Sequence, residues 1–416
     1  MKAVVIGPGR IGCGFAGQVL RASGFDVVFL ARNPALVEHL NRVRHYRVRL
    51  TERARASEAV VDGIRAVSIA ESARAAREIA DADVVVTSVG ANNLADVAPL
   101  IAAGLTRRAS SLNVLAFENL PDASRSLRVL VGRHLPADVD VAKHGFAGAL
   151  VHRVVTKRLG DPARAESLTF LGDSPAAFHV DGPSLRRPVP AIQGMVVTDQ
   201  YEAWVQRKLY TYSAGHATAA YLGYLKGYHY LHTAIRDPEI RLAVLAAMAE
   251  GQRGLAARYG AGIAGDVEDL LEIIARFENA ALRDPIVRVG RDPQRKLGAE
   301  ERLVGAARLA EASGIRPEKL ALATAAALCF SSPADPSCGE LQRTIQASGL
   351  DRALREVCGL DPARGVGRLV AESWDQLAPG WHLGNFLLSL DRPMWTWTSE
   401  RVRDDDRSLA PTGDRR

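Results

Sequence analysis

Lys2-Ala3-Val4-Val5-Ile6-Gly7-Pro8-Gly9-Arg10-Ile11-Gly12 opens this 416-residue chain. The run Lys2–Ile6 is short and apolar, as a buried strand requires, and the residues after Gly12 keep a helical spacing to about Arg21. Between the two lies Gly-x-Gly-x-x-Gly, in the strand-to-helix position where the spacing carries meaning. The first glycine permits a tight turn, the second lets a pyrophosphate approach the backbone, and the third lets helix and strand pack closely. The helix N-terminus then faces the phosphates. Gly7, Gly9, Arg10, Ile11 and Gly12 are therefore predicted to hold a dinucleotide.

Working outward, a second strand over Asp26–Leu30 ends in Ala31-Arg32-Asn33. An NAD site ordinarily places Asp or Glu there, on the ribose 2′-hydroxyl. Arg32 suits a 2′-phosphate instead, with Asn33 as a neutral donor, so NADP(H) is expected to be preferred over NAD(H). Further strands are predicted over Ile64–Ile69, Asp83–Thr87, Asn113–Phe117 and Val139–Lys143, each separated by a helical stretch. This alternation predicts an α/β Rossmann domain with a doubly wound, mostly parallel sheet. Ligands of such sheets bind beyond the carboxyl ends of the strands, where Ser88, Gly90, Glu118 and Asn119 fall.

Between about 157 and 195 the pattern loosens, with Pro162, Pro175, Pro183, Pro188 and Pro190. The domain boundary is placed there: residues 1–195 bind the dinucleotide, and residues 196–385 form an all-α domain. Helical periods run over 199–228, 237–258, 265–280, 299–313, 317–330, 339–347 and 350–357. Residues 400–416 carry charge runs and few apolar groups, and disorder is expected.

Composition narrows the partners. A hydrophobic fraction of 47% with 24% charged residues is that of an ordinary globular protein. The net charge of +6 suits an anionic or polyhydroxylated small molecule; without an aromatic-studded basic stripe, nucleic acid is not expected. Cys13, Cys329, Cys338 and Cys358 show neither CxxC nor zinc spacing, which points to a reducing compartment and no structural metal. With no apolar run of about 18 residues and no leader, a cytoplasmic protein without a membrane partner is expected.

Arg207-Lys208-Leu209-Tyr210-Thr211-Tyr212-Ser213-Ala214-Gly215-His216-Ala217 carries the candidate chemistry. On an ideal helix Lys208 and His216 lie about 80° apart, with Ser213 about 60° beyond. A lysine and a histidine on a helix also describe a solvated edge. Desolvated beside another cation, however, Lys208 can lose its proton near neutrality and serve as general base toward an alcohol. Arg288-Val289-Gly290-Arg291-Asp292-Pro293-Gln294-Arg295-Lys296-Leu297 reads as a basic loop able to clamp a phosphate or polyol.

Taken together, these segments resemble the polyol-specific long-chain dehydrogenase/reductase family over roughly residues 1 to 370. The resemblance rests on the glycine motif, Phe117-Glu118-Asn119, Gly194-Met195-x-x-Thr198-Asp199, Arg207-Lys208-Leu209, Thr218-Ala219-Ala220-Tyr221-Leu222-Gly223, Arg276-Phe277-Glu278-Asn279 and the Arg288–Leu297 run. It implies metal-independent hydride transfer between a nicotinamide and a polyol, polyol phosphate or ketose. It further implies Lys208 as general base, His216 as substrate-orienting group, Asn119, Arg288 and Lys296 at the substrate, and a monomer or weak homodimer. Three positions depart from the family pattern: Ala31 replaces its cofactor-selecting Asp, Ser213 an Asn, and His152 the first residue of an Asp-Arg pair. The last two put Ser213 and His152 at the substrate and predict poor handling of the family's usual sugar phosphate. The same chemistry on another sugar, a sugar acid or a cyclitol is the alternative. A redox-sensing dinucleotide binder without turnover is a third reading, against which Lys208 and His216 stand.

Overall fold

The structure, a computed structural model, describes residues 1–52, 55–118, 122–161 and 167–377. Its strands are β1 (Lys2–Ile6), β2 (Asp26–Ala31), β3 (His45–Glu52), β4 (Arg55–Asp62), β5 (Arg65–Ser68), β6 (Val84–Thr87), β7 (Asn113–Ala116), β8 (Gly145–Val151), β9 (Val155–Leu159), β10 (Thr169–Asp173), β11 (Phe178–Asp181) and β12 (Met195–Thr198). Eight of them form one sheet in the order β12-β11-β8-β7-β6-β1-β2-β5. Neighbours are parallel throughout except β11 against β8.

This order explains where a ligand can go. From β1 the chain winds outward through β2 and β5, then returns to lay β6 on the other side of β1. The winding reverses there, so the loops after β1 and β6 diverge and leave a crevice at their carboxyl ends. Ile6 pairs with Leu30 on one side and Thr87 on the other, bringing the three strand ends level. Ala3 to Ile6 are at most 1% exposed because helices cover both faces, and a fully buried Val or Ile contributes about 1.5–3 kcal/mol.

A second, four-stranded sheet, β4-β3-β10-β9, lies outside the strand alternation read from the sequence. Its β3 alternates buried Tyr46 and Val48 with exposed Arg47 and Arg49, the pattern of a strand covered on one face. The predicted strand Val139–Lys143 is not one: Asp140 accepts the backbone N–H of Ala142 at 2.8 Å and bends the chain into a 3-10 turn over Val141–Lys143. The next segment, Gly145–Val151, supplies the strand, buried on both faces.

From Tyr201 onward the described chain is helical. A core of Tyr210, Ala214, Ala217 and Tyr221 packs on helices Val304–Ala312 and Glu318–Leu328. The predicted long helix is continuous in direction but not in winding: Tyr201–Lys208 and Ala214–Leu225 are α-helical, and Leu209–Ser213 between them is a π turn. The basic run Arg288–Leu297 is not a loop; it comprises two short helices, Ile286–Gly290 and Pro293–Lys296. The helical part is fastened to the second sheet by polar contacts. Asn279 Nδ2 donates to the carbonyl and hydroxyl of Thr51, both at 3.0 Å, and Thr156 Oγ1 to the Leu282 carbonyl at 3.3 Å. No helix among the described residues is long and apolar enough to cross a membrane. The tail at 400–416 lies outside the described residues.

Candidate active site

The glycine turn has the shape its spacing implies. Gly7 adopts φ +96°, and a Cβ there would lie 2.7 Å from the Ser88 carbonyl oxygen. A Cβ on Gly12 would lie 2.0 Å from the Gly7 carbonyl oxygen, so only glycine lets the helix start this close to the strand. At Gly9 a Cβ would meet nothing within 4 Å: the space before this residue is open. Ser88 Oγ donates to the Gly7 carbonyl at 2.7 Å and ties the two loops together. Glu118 is buried and turned inward, accepting from Thr87 Oγ1 at 2.7 Å and the Val89 N–H at 2.9 Å. Burial pushes its pKa up despite these donors. Its position is thus that of a brace beneath Ser88 and Gly90. Asn119 lies outside the described residues.

Gly7, Gly9, Ala31, Arg32, Asn33 and Ser88 line one cavity at these strand ends. Asn33 spends its side-chain oxygen on the Leu36 N–H, 3.2 Å away, as N-cap of helix Pro34–Val43. The open cradle before Gly9, the N–H groups of the turn and the cavity running on to Arg32 fit a dinucleotide. Arg10 is not among the residues lining that cavity; it donates to the Thr156 carbonyl on β9 of the second sheet at 3.2 Å. Burial first, then Arg288 and Arg291, lowers its pKa. Ile11 packs against the core beneath the second sheet.

Two polar groups adjoin the Tyr212 ring, one through Arg276 at 4.4 Å and the other through His216, whose ring centroid is 5.7 Å away. In the first, Lys208 Nζ donates to the Val151 carbonyl at 2.6 Å, and Arg276 Nη2 donates to the next carbonyl, His152, at 2.7 Å. The exit of β8 therefore holds both cations. Arg276 is pinned by Asp173, which accepts from Nε at 2.9 Å and Nη2 at 2.7 Å, and its guanidinium lies over the Tyr212 ring at 4.4 Å. Burial, followed by the charges of Arg276 and Arg302, pulls the Lys208 pKa down to about 8. The His152 ring bonds its neighbour His179 at 3.0 Å, and His179 stacks on Trp204 with centroids 4.0 Å apart. Burial, then Lys208, lowers the His152 pKa to about 3, so this ring is neutral.

In the second group, Asp284 accepts from Arg288 Nε and Nη2, each at 2.5 Å, and lies 3.4 Å from His216 Nε2. Burial lowers the His216 pKa even though the carboxylate opposes the shift. A neutral ring with its Nε2–H toward Asp284 satisfies both, leaving Nδ1 as acceptor. Lys296 is buried and donates to the Val289 carbonyl; burial and Arg302 lower its pKa to about 7.

Lys208 and His216 thus attach to different walls, β8 and Asp284, and the π turn with buried Ser213 spans the gap between them. The angle reckoned for an ideal helix does not hold, because a π turn advances fewer degrees per residue. Asp173, Arg276, Asp284, Tyr212 and His179 were not among the site residues picked out from the sequence. One local signal existed, Asp284 four residues before Arg288, just ahead of the short helix that carries the arginine. The others come from distant segments.

The profile of the mannitol dehydrogenase Rossmann domain matches residues 1–174, and that of the mannitol dehydrogenase C-terminal domain matches residues 200–366. The chain belongs to the mannitol dehydrogenase family. Mannitol-1-phosphate 5-dehydrogenase of Brevibacillus brevis is 36% identical over 379 residues, covering 89% of this chain and 97% of that protein. The Bacillus subtilis enzyme of the same name is 34% identical over 383 residues, covering 90% and 100%. The fold is that of Pseudomonas fluorescens mannitol 2-dehydrogenase, solved with NAD and D-mannitol: TM-score 0.73 at 16% identity, covering 94% of this chain and 95% of that one. As a member of the family the protein is a polyol dehydrogenase-type oxidoreductase acting on CH–OH groups.

Proposed function

We propose that this member of the family moves hydride between NADP(H) and a polyol or sugar phosphate, with Lys208 as the general acid and base. The observation that carries this reading is the seat of Lys208: an amine fixed by the Val151 carbonyl, next to Arg276, with its pKa down at about 8. The relatives named mannitol-1-phosphate 5-dehydrogenase support a phosphorylated substrate. Neutral Lys208 keeps one N–H on Val151 and turns its lone pair to the substrate hydroxyl, whose proton it takes. The bound nicotinamide supplies the hydride acceptor. In reduction the ammonium returns the proton, while Arg276 holds positive charge beside the developing alkoxide. His216, oriented by Asp284, positions a neighbouring hydroxyl through Nδ1, and Arg288 faces the anionic end.

Arg32 supports a preference for NADPH. A charge-assisted contact to the 2′-phosphate is worth roughly 1.5–3 kcal/mol, about ten- to a hundredfold. Initial rates with both cofactors should show that preference, and Arg32→Asp should turn it toward NADH. Equal efficiency in the wild type, or a preference for NADH, removes the assignment.

A narrower reading concerns the substrate. The family's Asn position is Ser213, a shorter donor in the π turn, and its Asp position is His152, a neutral ring engaged with His179. Both changes favour a sugar, sugar acid or cyclitol other than the mannitol-1-phosphate and fructose-6-phosphate pair. A panel of sugar phosphates followed at the nicotinamide absorbance tests this. Fructose 6-phosphate should be a poor substrate, and Ser213→Asn should raise its kcat/KM by about 10²-fold, the value of one well-placed donor. A wild-type kcat/KM above about 10⁴ M⁻¹s⁻¹, ordinary for a true substrate, returns the assignment to that pair.

A further inference from the structure

Arg32 does not stand alone at the mouth of the dinucleotide cavity. Asp96 lines the same cavity, and its Oδ2 lies 3.5 Å from Arg32 Nη1. The two side chains come from opposite sides of the crevice, Arg32 from the end of β2 and Asp96 from the first turn of helix Leu94–Leu105. An acid in a first helical turn is favourable on dipole grounds alone. That does not account for a carboxylate that reaches across the crevice to the residue at the 2′-selecting position.

We propose that Asp96 is a second cofactor-selecting residue, a carboxylate acting at the ribose 2′ position in opposition to Arg32. This rests on the dinucleotide reading of the cavity. The β2 end carries Ala31 and Arg32 with no acid, so nothing on that strand accepts a 2′-hydroxyl. Asp96 supplies an acceptor from the facing helix. Bound to a 2′-hydroxyl it takes the hydrogen bond that an acid on β2 would otherwise take. Facing a 2′-phosphate it repels, and it partly neutralises the guanidinium that attracts. The cavity therefore holds one group for each cofactor, and the preference is the balance between them. Both side chains are more than half exposed, 63% and 55%, so the effect is modest and screened by salt.

Dissociation constants of NADPH and NADH, measured by nicotinamide fluorescence for wild type, Asp96→Asn, Arg32→Ala and the double variant, decide the matter without recourse to turnover. In Asp96→Asn, NADPH should bind roughly three- to fivefold tighter, the scale of an exposed charge pair, and NADH should bind no tighter. The gain should shrink as salt is raised through 0.5 M. The NADPH gain should persist in the Arg32→Ala background, because repulsion does not need the arginine. An unchanged NADPH-to-NADH ratio in Asp96→Asn overturns the proposal, as does a gain that vanishes without Arg32. If the wild type binds neither dinucleotide, the cavity reading itself falls, and this inference with it. If Asp96→Asn moves the ratio while Arg32→Ala does not, Asp96 stands and Arg32 loses its role.

Discussion

Lys208→Ala is expected to lower kcat by about 10²–10⁴-fold, the usual contribution of a general base, with little change in the KM for cofactor. The amine is held at the carboxyl end of β8, and the cavity read as the dinucleotide site lies three strands along the same sheet edge, at the carboxyl ends of β1 and β2. The pH profile should carry the same signature. Lys208 is depressed to about 8, so the neutral form needed for alcohol oxidation accumulates as pH rises through that value. Oxidation should climb to a plateau above about pH 8, and reduction, which needs the ammonium, should decline there. Arg276 is one cause of the depression, and Arg276→Met should push the inflection upward by relieving its charge. A Lys208→Ala variant within tenfold of wild type would falsify the assignment of the base.

Asp284→Ala should cost substantial stability. Its carboxylate holds Arg288 through both oxygens and faces His216. Removing one partner of a buried pair leaves the other charge uncompensated, at a cost of about 3–5 kcal/mol. Arg288 keeps 28% of its side chain in solvent, which places the expected loss near 3 kcal/mol, the lower end. The KM for substrate should rise in parallel, since Arg288 and His216 lose their common anchor. Acid sharpens the test. The Asp284 pKa is held well below the ordinary carboxylate value by His216 and Arg288, against burial. The stability it contributes is complete above the unfolded pKa of about 4 and is lost as pH falls below it. Urea unfolding at pH 7 and pH 3 should show wild type losing roughly 1.4 kcal/mol of its margin over Asp284→Asn, the value of one pH unit below the unfolded pKa. Equal midpoints for wild type and Asp284→Ala at pH 7 would show that the pair contributes nothing.

The parts legible in the sequence were those written locally. Lys2–Ile6 and the glycines after it announce their strand, turn and helix within eleven residues, because each step depends only on near neighbours. Lys208 could be picked out by type and by the apolar residues that follow it. Its environment could not, since Val151, Arg276 and Asp173 reach it from three remote segments. The second sheet escaped for a different reason: β4 is exposed along most of its length, so its sequence carries little apolar alternation. The basic run at 288–297 misled through composition. Its charges suggested a loop open to a phosphate or polyol, whereas Asp284 and the Val289 carbonyl engage Arg288 and Lys296 within short packed helices.

The π turn at Leu209–Ser213 has a consequence for how this chain can change. Such a turn is an α-helix carrying one residue more than its winding needs. Lys208 and His216 therefore belong to two helical phases joined at that residue. Losing one residue between them would restore an even winding and swing one side chain about 100° relative to the other. The Lys208 amine would part from Val151, or His216 from Asp284, even with the protein still folded. A deletion or insertion between Lys208 and His216 therefore costs one of the two contacts wherever along the stretch it falls.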